Sequence, residues 1–284
     1  WVPYSCIWVQ CWLSSLFIVH FNFCYIYSIA REGRMNQSEF ELQLKKILKI
    51  NNIELDDSQV QNFFEYYKIL SEENKKYNLT SIKDLKSIIL KHFLDSIMGL
   101  KLFEETSKKN ELYKFDIIDF GCGAGFPLVP YKIYNQSIGK LNKIIFIDSN
   151  SKKINFLNIL FKNLKFKNNH KIMTLHSRLE NFNSTDLSSK LILVGRAVGE
   201  INKILSNIIN FLFKNKIEYA IFVYYAGPNF IIPENRIVKF YQPSKNIKKT
   251  NDVSFEISGK ITEYSYQSKK INRKLAVFEI KNLK

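Results

Sequence analysis

The residues best suited to chemistry lie in one run, Phe115-Asp-Ile-Ile-Asp-Phe-Gly-Cys-Gly-Ala-Gly-Phe-Pro-Leu-Val-Pro130. Ile117 and Ile118 read as a short buried strand. Gly121, Gly123 and Gly125 follow as a turn, and no Pro or Gly interrupts Tyr131 to Gln136, so a helix can start after it. A strand, a glycine turn and a helix start together make a nucleotide-cofactor site. The glycines let a ligand approach the backbone, and free N–H groups at the helix start are ready donors. The dinucleotide fingerprint G-x-G-x-x-G would place its third glycine at position 126, which is Phe126. The pattern G-x-G-x-G followed by Phe126-Pro127 points instead to S-adenosylmethionine (SAM). Asp148 closes the next apolar run, where an acid is placed to accept from both ribose hydroxyls. It stands 27 residues after Gly121, beyond the roughly 20 expected for NAD.

Two further strand ends should carry ligand contacts, because open sheets bind at the carboxyl ends of their strands. After 171–176 comes Ser177-Arg-Leu-Glu180, with Leu179 for an adenine face and Glu180 or a backbone group for its exocyclic amine. After 190–195 comes Arg196-Ala-Val-Gly199, whose guanidinium could hold the SAM carboxylate or an RNA phosphate. The fourth strand end lacks the Asn/Asp-Pro-Pro-aromatic tetrapeptide with which amino-group methylases hold an exocyclic amine. Carbon-5 pyrimidine methylases need a nucleophilic cysteine, and Cys122, the one cysteine after residue 34, stands in the glycine loop facing the cofactor. Acceptors with an available lone pair remain. Guanine N7 is one, and it has no proton to lose, so alignment and desolvation could supply most of the rate.

The elements that must position these groups alternate. Strands are expected at 115–120, 143–148, 171–176, 190–195 and 218–225, with helices at 151–165 and 200–213. This is an α/β pattern with a mostly parallel, doubly wound sheet. Residues 253–266 and 274–280 read as antiparallel strands closing the sheet edge, as in the SAM-dependent Rossmann-like variant whose last strand runs against the others. Residues 242–252 read as a polar loop. Ahead of the sheet lies a helical extension. Ser38 to Glu41 has capping-box spacing, with Leu42, Leu44, Ile47 and Leu48 following. A second helix, capped from Asp56, Asp57 and Ser58, has the stripe Val60, Phe63, Phe64, Tyr67 and Leu70. Asp84 caps a third, whose buried side is Leu85, Ile88, Ile89, Phe93, Ile97 and Leu100. On it Lys91, His92, Asp95 and Ser96 can share one flank.

Charge bounds the partners. The 284 residues carry +16, of which residues 1–34 supply only +1. A +15 body suits a polyanion such as RNA, DNA or an anionic membrane. Lysine outnumbers arginine 36 to 6, so codon bias also contributes. Residues 1–30 are uncharged and hold Cys6, Cys11 and Cys24. Met35 reads as the start, with 1–34 an upstream read-through or mis-annotated extension; the alternative is a signal-anchor or part of an organellar leader. Without that stretch no segment suits a membrane span. One body cysteine forms neither a disulfide framework nor a four-ligand zinc site, and no histidine pair has metal spacing. The expected division is 1–34 extension, 35–112 helical region and 113–284 SAM-binding domain.

Taken in order, Tyr77-Asn-Leu-Thr80, Lys91-His-Phe-Leu-Asp-Ser96, Asp119-Phe-Gly-Cys-Gly-Ala-Gly-Phe-Pro127, Asp148-Ser149, Arg178-Leu-Glu180, Arg196-Ala-Val198 and Arg273-Lys-Leu-Ala-Val277 resemble the bacterial RsmG/GidB family of 16S rRNA guanine-N7 methyltransferases. The resemblance covers about residues 38–281. It implies a SAM-binding Rossmann-like domain with an N-terminal helical extension, acting on small-subunit rRNA. The expected protein is a monomer without metal, cytoplasmic, and organellar or membrane-anchored only if residues 1–34 are genuine. It places cofactor contacts at Gly121, Phe126, Leu179, Glu180 and Arg196, with neighbouring contacts at Gly123, Gly125 and Asp148. It also brings Asn78, Lys91, His92 and Asp95 to the rim of the site: Lys91 and His92 touching phosphate or guanine, Asp95 orienting His92. Three positions depart from the family: Cys122 stands for Ser or Thr, Leu128 for Gly, and Ala226-Gly227 for a pair beginning with Lys. The rivals are a SAM methylase for another RNA or a small molecule, and a non-catalytic RNA-binding protein with a degenerate fold.

Overall fold

The computed structural model describes residues 36–107, 115–138, 142–166, 171–240, 253–266 and 271–283. The apolar extension 1–34 and the expected loop 242–252 lie outside them. By internal contacts the chain divides into Trp1–Leu42 and Gln43–Lys284. Of the first unit, residues 36–42 are described, and they begin helix α1 (Gln37–Lys49). Its cap is Asn36, whose Oδ1 accepts from the Ser38 N–H at 3.1 Å. The expected cap, Ser38, lies inside the helix, and Leu42 is exposed.

In the second unit, α2 (Asp57–Tyr77) opens with a reciprocal capping box between Asp56 and Gln59. It ends at Asn78, whose left-handed backbone turns the chain. Its buried stripe runs through Val60, Phe63, Tyr66, Ile69 and Leu70. Tyr66 and Ile69 thus replace the expected Phe64 and Tyr67, because the face that meets other elements is rotated from the one that apolar spacing marks. The third helical stretch is α3 (Leu85–Ile88), a π-helical turn (Ile89–Leu94) and α4 (Asp95–Thr106). Asp84 caps it through the Ser87 N–H at 2.8 Å, and all six residues expected on its buried side are buried. A π turn inserts one residue per turn and shifts every later side chain around the axis.

Eight strands form one sheet: β1 (Asp116–Phe120), β2 (Ile144–Asp148), β3 (Ile172–His176), β4 (Lys190–Arg196), β5 (Tyr219–Ala226), β6 (Arg236–Phe240), β7 (Val253–Tyr266) and β8 (Ile271–Asn282). Their order is β3-β2-β1-β4-β5-β8-β7-β6. β1 to β5 are parallel, while β8 runs against β5 and β7 and β6 continue antiparallel. β1 and β2 are buried throughout, as parallel strands covered on both faces must be. The expected strands fall within a few residues of their expected bounds. β6 was not anticipated, because five residues after a stretch with Pro228 and Pro233 offer too short a period to read.

Helix α5 (Leu128–Tyr134) follows the glycine turn, α6 (Ser151–Asn163) follows β2, and α7 (Ile201–Lys214) follows β4. α5 starts earlier than expected and contains Pro130 in its first turn, where a missing N–H forfeits no helical bond. The core on one face packs Ile118, Leu193 and Phe222 of the sheet with Leu205, Ile208 and Leu212 of α7. The sheet order reverses between β1 and β4, which opens a crevice at their carboxyl ends.

Candidate functional site

The glycine turn fills the β1 side of that crevice. Gly121 has φ +62°, and a Cβ there would stand 2.7 Å from Val198 Cγ1. Gly125 has φ +90°, and a Cβ would meet Val129 Cγ2 at 2.6 Å. Both positions therefore require glycine on two counts, backbone conformation and space. The turn is stapled to β2: the Gly123 N–H donates to Asp148 Oδ2 at 2.9 Å, and Cys122 N–H to the Ile147 carbonyl at 3.2 Å. Asp148 Oδ1 accepts from the Asn150 N–H at 2.9 Å. Oδ2 also faces the Lys153 ammonium at 3.7 Å, and Oδ1 keeps a second lone pair for a ligand.

A cleft of about 580 Å³ runs from this turn across the strand ends. Gly121, Asp148, Leu179 and Glu180, all singled out from sequence, line it together. So do Ser149, Lys153, Val198, Gly199 and Lys203, which sequence reading did not assign. The loop after β4 is held in unusual backbone: Ala197 has φ +53° although it is not glycine, a strain typical of ligand sites. Its signal in the sequence was only the Arg196-Ala-Val-Gly199 run.

Two expectations are corrected here. The N–H groups at the start of α5 are not free, because Val129 donates to the Gly125 carbonyl at 2.9 Å and Pro130 has none. Cys122 does not face the cleft. Its thiol is buried, and burial pushes it well above the usual thiol range.

Asp119 was overlooked. It is fully buried two residues before Gly121, and neither oxygen makes a hydrogen bond of ordinary geometry. Burial raises its carboxyl well above the usual range, the Leu128 N–H opposes this, and the Asp148 charge adds to it. A buried acid without a partner suits a cationic ligand group.

The second wall is helical. The ring of Phe126 lies between two others: His92 stacks on it at 4.3 Å and 13°, Tyr66 at 5.5 Å and 22°. The Tyr66 hydroxyl donates to the Ala124 carbonyl, so α2 grips the glycine turn directly. His92 Nε2 lies 2.8 Å from Thr80 Oγ1, which also accepts from the Ile82 N–H. Either can donate in that bond, since the hydroxyl keeps a second lone pair, and Nδ1 is a buried atom without a partner. Burial, then the Arg196 charge, lower His92 to about 4, so it is neutral at pH 7. Asn78 and Lys91 are exposed.

Asp95 does not orient His92. Beyond the π turn its buried carboxylate faces the other way, with Arg196 Nη2 at 3.0 Å, Arg273 Nε at 3.4 Å and the Tyr264 hydroxyl at 3.0 Å. Arg196 also donates through Nη2 to the Lys91 carbonyl at 2.7 Å. Arg196 and Phe126 therefore belong to the helical wall, whereas Gly123 and Gly125 shape the turn. Ala226 is buried, and Lys274 stands opposite it in register, on the same face of the sheet. Among the described residues no group of three or more His, Cys, Asp or Glu could hold a metal, and no helix is long and apolar enough to cross a membrane.

A parallel five-stranded core, an antiparallel strand beside β5 and a glycine turn at the switch point define the Rossmann-like fold of SAM-dependent methyltransferases. The family model for GidB, rRNA small subunit methyltransferase G, matches residues 59–226, and the chain belongs to that family. Curated relatives carry the name "Ribosomal RNA small subunit methyltransferase G". That of Desulforamulus reducens is 37% identical over 145 residues, 51% of this chain and 55% of its own. That of Mesoplasma florum is 43% identical over 148 residues, 52% and 56%. That of Mycoplasma capricolum subsp. capricolum is 34% identical over 207 residues, 73% and 81%. The matched part thus spans about half the length of the first two relatives. Among solved structures, "DhpI-SAM-HEP complex" aligns at TM-score 0.39 and 9% identity over 80% of this chain and 99% of that one. So loose a match adds nothing to the fold, which rests on its strand order.

Proposed function

We propose that this protein methylates N7 of a guanine in small-subunit (16S) ribosomal RNA, with SAM as methyl donor. The observation that carries the reading is the cleft at the switch point, rimmed by a glycine turn and flanked by a second wall of neutral His92 and clamped Arg196. Family membership and the relatives' names support the same substrate.

The donor set fits SAM. Leu179 offers an apolar face to adenine and Glu180 an acceptor to its amine. Asp148 offers a free lone pair on Oδ1 to a ribose hydroxyl, and Gly121 leaves room beside Val198. Gly123, Gly125 and Phe126 hold the turn in shape. Asp119 offers a buried carboxyl that a bound α-ammonium group would hold in its ionised form, and Arg196 a cation for the carboxylate. SAM brings a methyl group made electrophilic by its sulfonium. The guanine N7 lone pair needs no base to accept it, so the protein's task is alignment and exclusion of water.

On the acceptor side, neutral His92 engages the base by hydrogen bond or stacking, because it lacks the charge to pair with phosphate. Lys91, Asn78 and the lysines of the helical region 35–112 meet the RNA backbone. Lys274, opposite Ala226, is engaged by the Phe230 carbonyl at 3.2 Å and Glu263 at 3.8 Å, so its charge is partly offset there. The enzyme would act where ribosomal subunits assemble, in the cytoplasm, as a monomer.

Mass spectrometry of small-subunit rRNA digests from cells with and without the gene tests the reaction. Loss of one 7-methylguanosine on deletion, restored by the intact gene, is expected. Retention of that nucleoside in the deleted strain would overturn the assignment.

A further inference from the structure

Arg196 reaches its place only because other groups hold it. Its guanidinium leaves β4 beside cleft residues Ala197 to Gly199 and extends toward the helical wall. There Nη2 is bonded twice, to Asp95 Oδ2 at 3.0 Å and to the Lys91 carbonyl at 2.7 Å. Its plane lies over the Tyr225 ring at 6.0 Å. Tyr225 is fixed in turn, since its hydroxyl donates to the Ser96 carbonyl at 2.6 Å and a Cβ on Gly99 would clash with its ring. One amino group, Nη1, remains buried and unbonded.

Asp95 is only 1% exposed and serves two guanidiniums. Arg273, from the start of β8, reaches Oδ1 through Nε at 3.4 Å, and Tyr264 of β7 donates to the same oxygen. One buried carboxylate between two partly exposed guanidiniums leaves a net positive charge open to an anionic group. A guanidinium is a planar fork, so fixing Nη2 sets the direction of Nη1.

We infer that Asp95 is the positioning residue for Arg196, and that Arg273 backs it by anchoring the carboxylate from the C-terminal hairpin. The inference rests on the proposed methyl transfer, in which Arg196 serves the carboxylate of SAM. The helix that carries Lys91 and His92 is thereby coupled to β8, and the functional contribution of the hairpin's arginine runs through Arg196.

The test is a double-mutant cycle on the full chain, read as kcat/KM for methyl transfer to small-subunit rRNA, KM for SAM, and Tm. Asp95→Asn is expected to lower kcat/KM by about 10- to 100-fold, mostly in KM for SAM. Arg196→Met should lose at least as much, and the double variant no more than Arg196→Met alone. Losses that multiply, or an Asp95→Asn enzyme that melts lower yet keeps its KM for SAM, would overturn the inference. If Asp95→Asn fails to fold, Arg273→Gln decides. Its side chain is partly exposed, and a loss of roughly 3- to 10-fold that vanishes in the Arg196→Met background is expected. A drop in Tm alone refutes it. Wild-type protein run alongside separates the two readings: no activity and no SAM binding in wild type would refute the proposed reaction itself.

Discussion

The two walls of the site are built by opposite means. The glycine wall is backbone, local in sequence and indifferent to most side chains: Gly121 and Gly125 matter for the atoms they lack. The helical wall is side chain, and its contacts join residues far apart, such as Arg196 with Asp95 and Tyr66 with Ala124. A wall made of absences tolerates no additions, whereas a wall made of contacts fails by subtraction. Adding atoms to the first and removing them from the second should therefore separate the two.

The largest effect is expected from an addition. Gly125→Ala places a Cβ at φ +90°, 2.6 Å from Val129 and 3.2 Å from the Tyr66 hydroxyl. Left-handed strain and overpacking together cost about 3 kcal/mol or more. Thermal melting should show a fall of several degrees, with SAM binding by calorimetry abolished. A variant that melts and binds like wild type would mean that the turn is not tight.

Acid separates the walls by sign. His92 has a folded pKa of about 4 against an ordinary value near 6.5. As pH falls below about 6.5 the unfolded chain takes up a proton that the folded chain refuses. Its share of stability is intact above that value and shrinks by up to roughly 3 kcal/mol by pH 4. On the glycine wall Asp119 acts oppositely. Its raised pKa means that the folded chain keeps a proton the unfolded one releases, so stability falls as pH rises past the usual carboxylate value. Denaturation from pH 4 to 7 should lose its rising limb in His92→Gln. In Asp119→Asn, Tm at pH 7 should rise while SAM affinity drops at least about 10-fold, the exchange expected of a binding group left buried without a partner. An unchanged pH profile in His92→Gln would place that histidine in an ordinary solvated setting.

Legibility in the sequence divides along the same line. Three alternate glycines, an acid closing the next apolar run and Leu179-Glu180 after the third are spacings along one chain, so four cleft residues could be named from it. β1, β2, β4 and β5 were legible because parallel strands buried on both faces read as nearly uninterrupted apolar runs. Asp95 was assigned to the wrong partner because i, i+3 geometry assumes a regular helix, and the π turn at Ile89–Leu94 rotates the side chains of α4 about the axis. Tyr66 was missed for a related reason: its value lies in reaching Ala124, 58 positions away. Asp119 stands within the glycine-loop motif, but only its burial without a hydrogen-bond partner sets it apart.

Tyr66 joins the walls, and removing one atom there should give a middle-sized effect. Tyr66→Phe keeps the ring stacked on Phe126 but leaves the buried Ala124 carbonyl unpaired, at about 1–3 kcal/mol. Weaker SAM binding with the His92 acid limb retained is expected. If the acid limb disappears too, the walls are a single unit and the contrast between them fails.

The smallest effect should come from Lys91, whose backbone and side chain serve different masters. The carbonyl holds Arg196, and Lys91→Met leaves it in place, so SAM affinity and Tm should not move. Under the proposed function the exposed ammonium is the part that would meet RNA. A phosphate contact there is worth under about 1 kcal/mol, since exposed charge pairs are screened and hydrated. It should nonetheless lower the slope of log K against log salt by about 1, because one fewer counterion is released. Filter binding of small-subunit rRNA across a salt series measures that slope. A lost slope unit with unaltered kcat at saturating RNA would put Lys91 on the backbone of the substrate. An unchanged slope with a lower kcat would put its side chain at the base instead, and the helical wall would then reach the reacting guanine one residue earlier than His92.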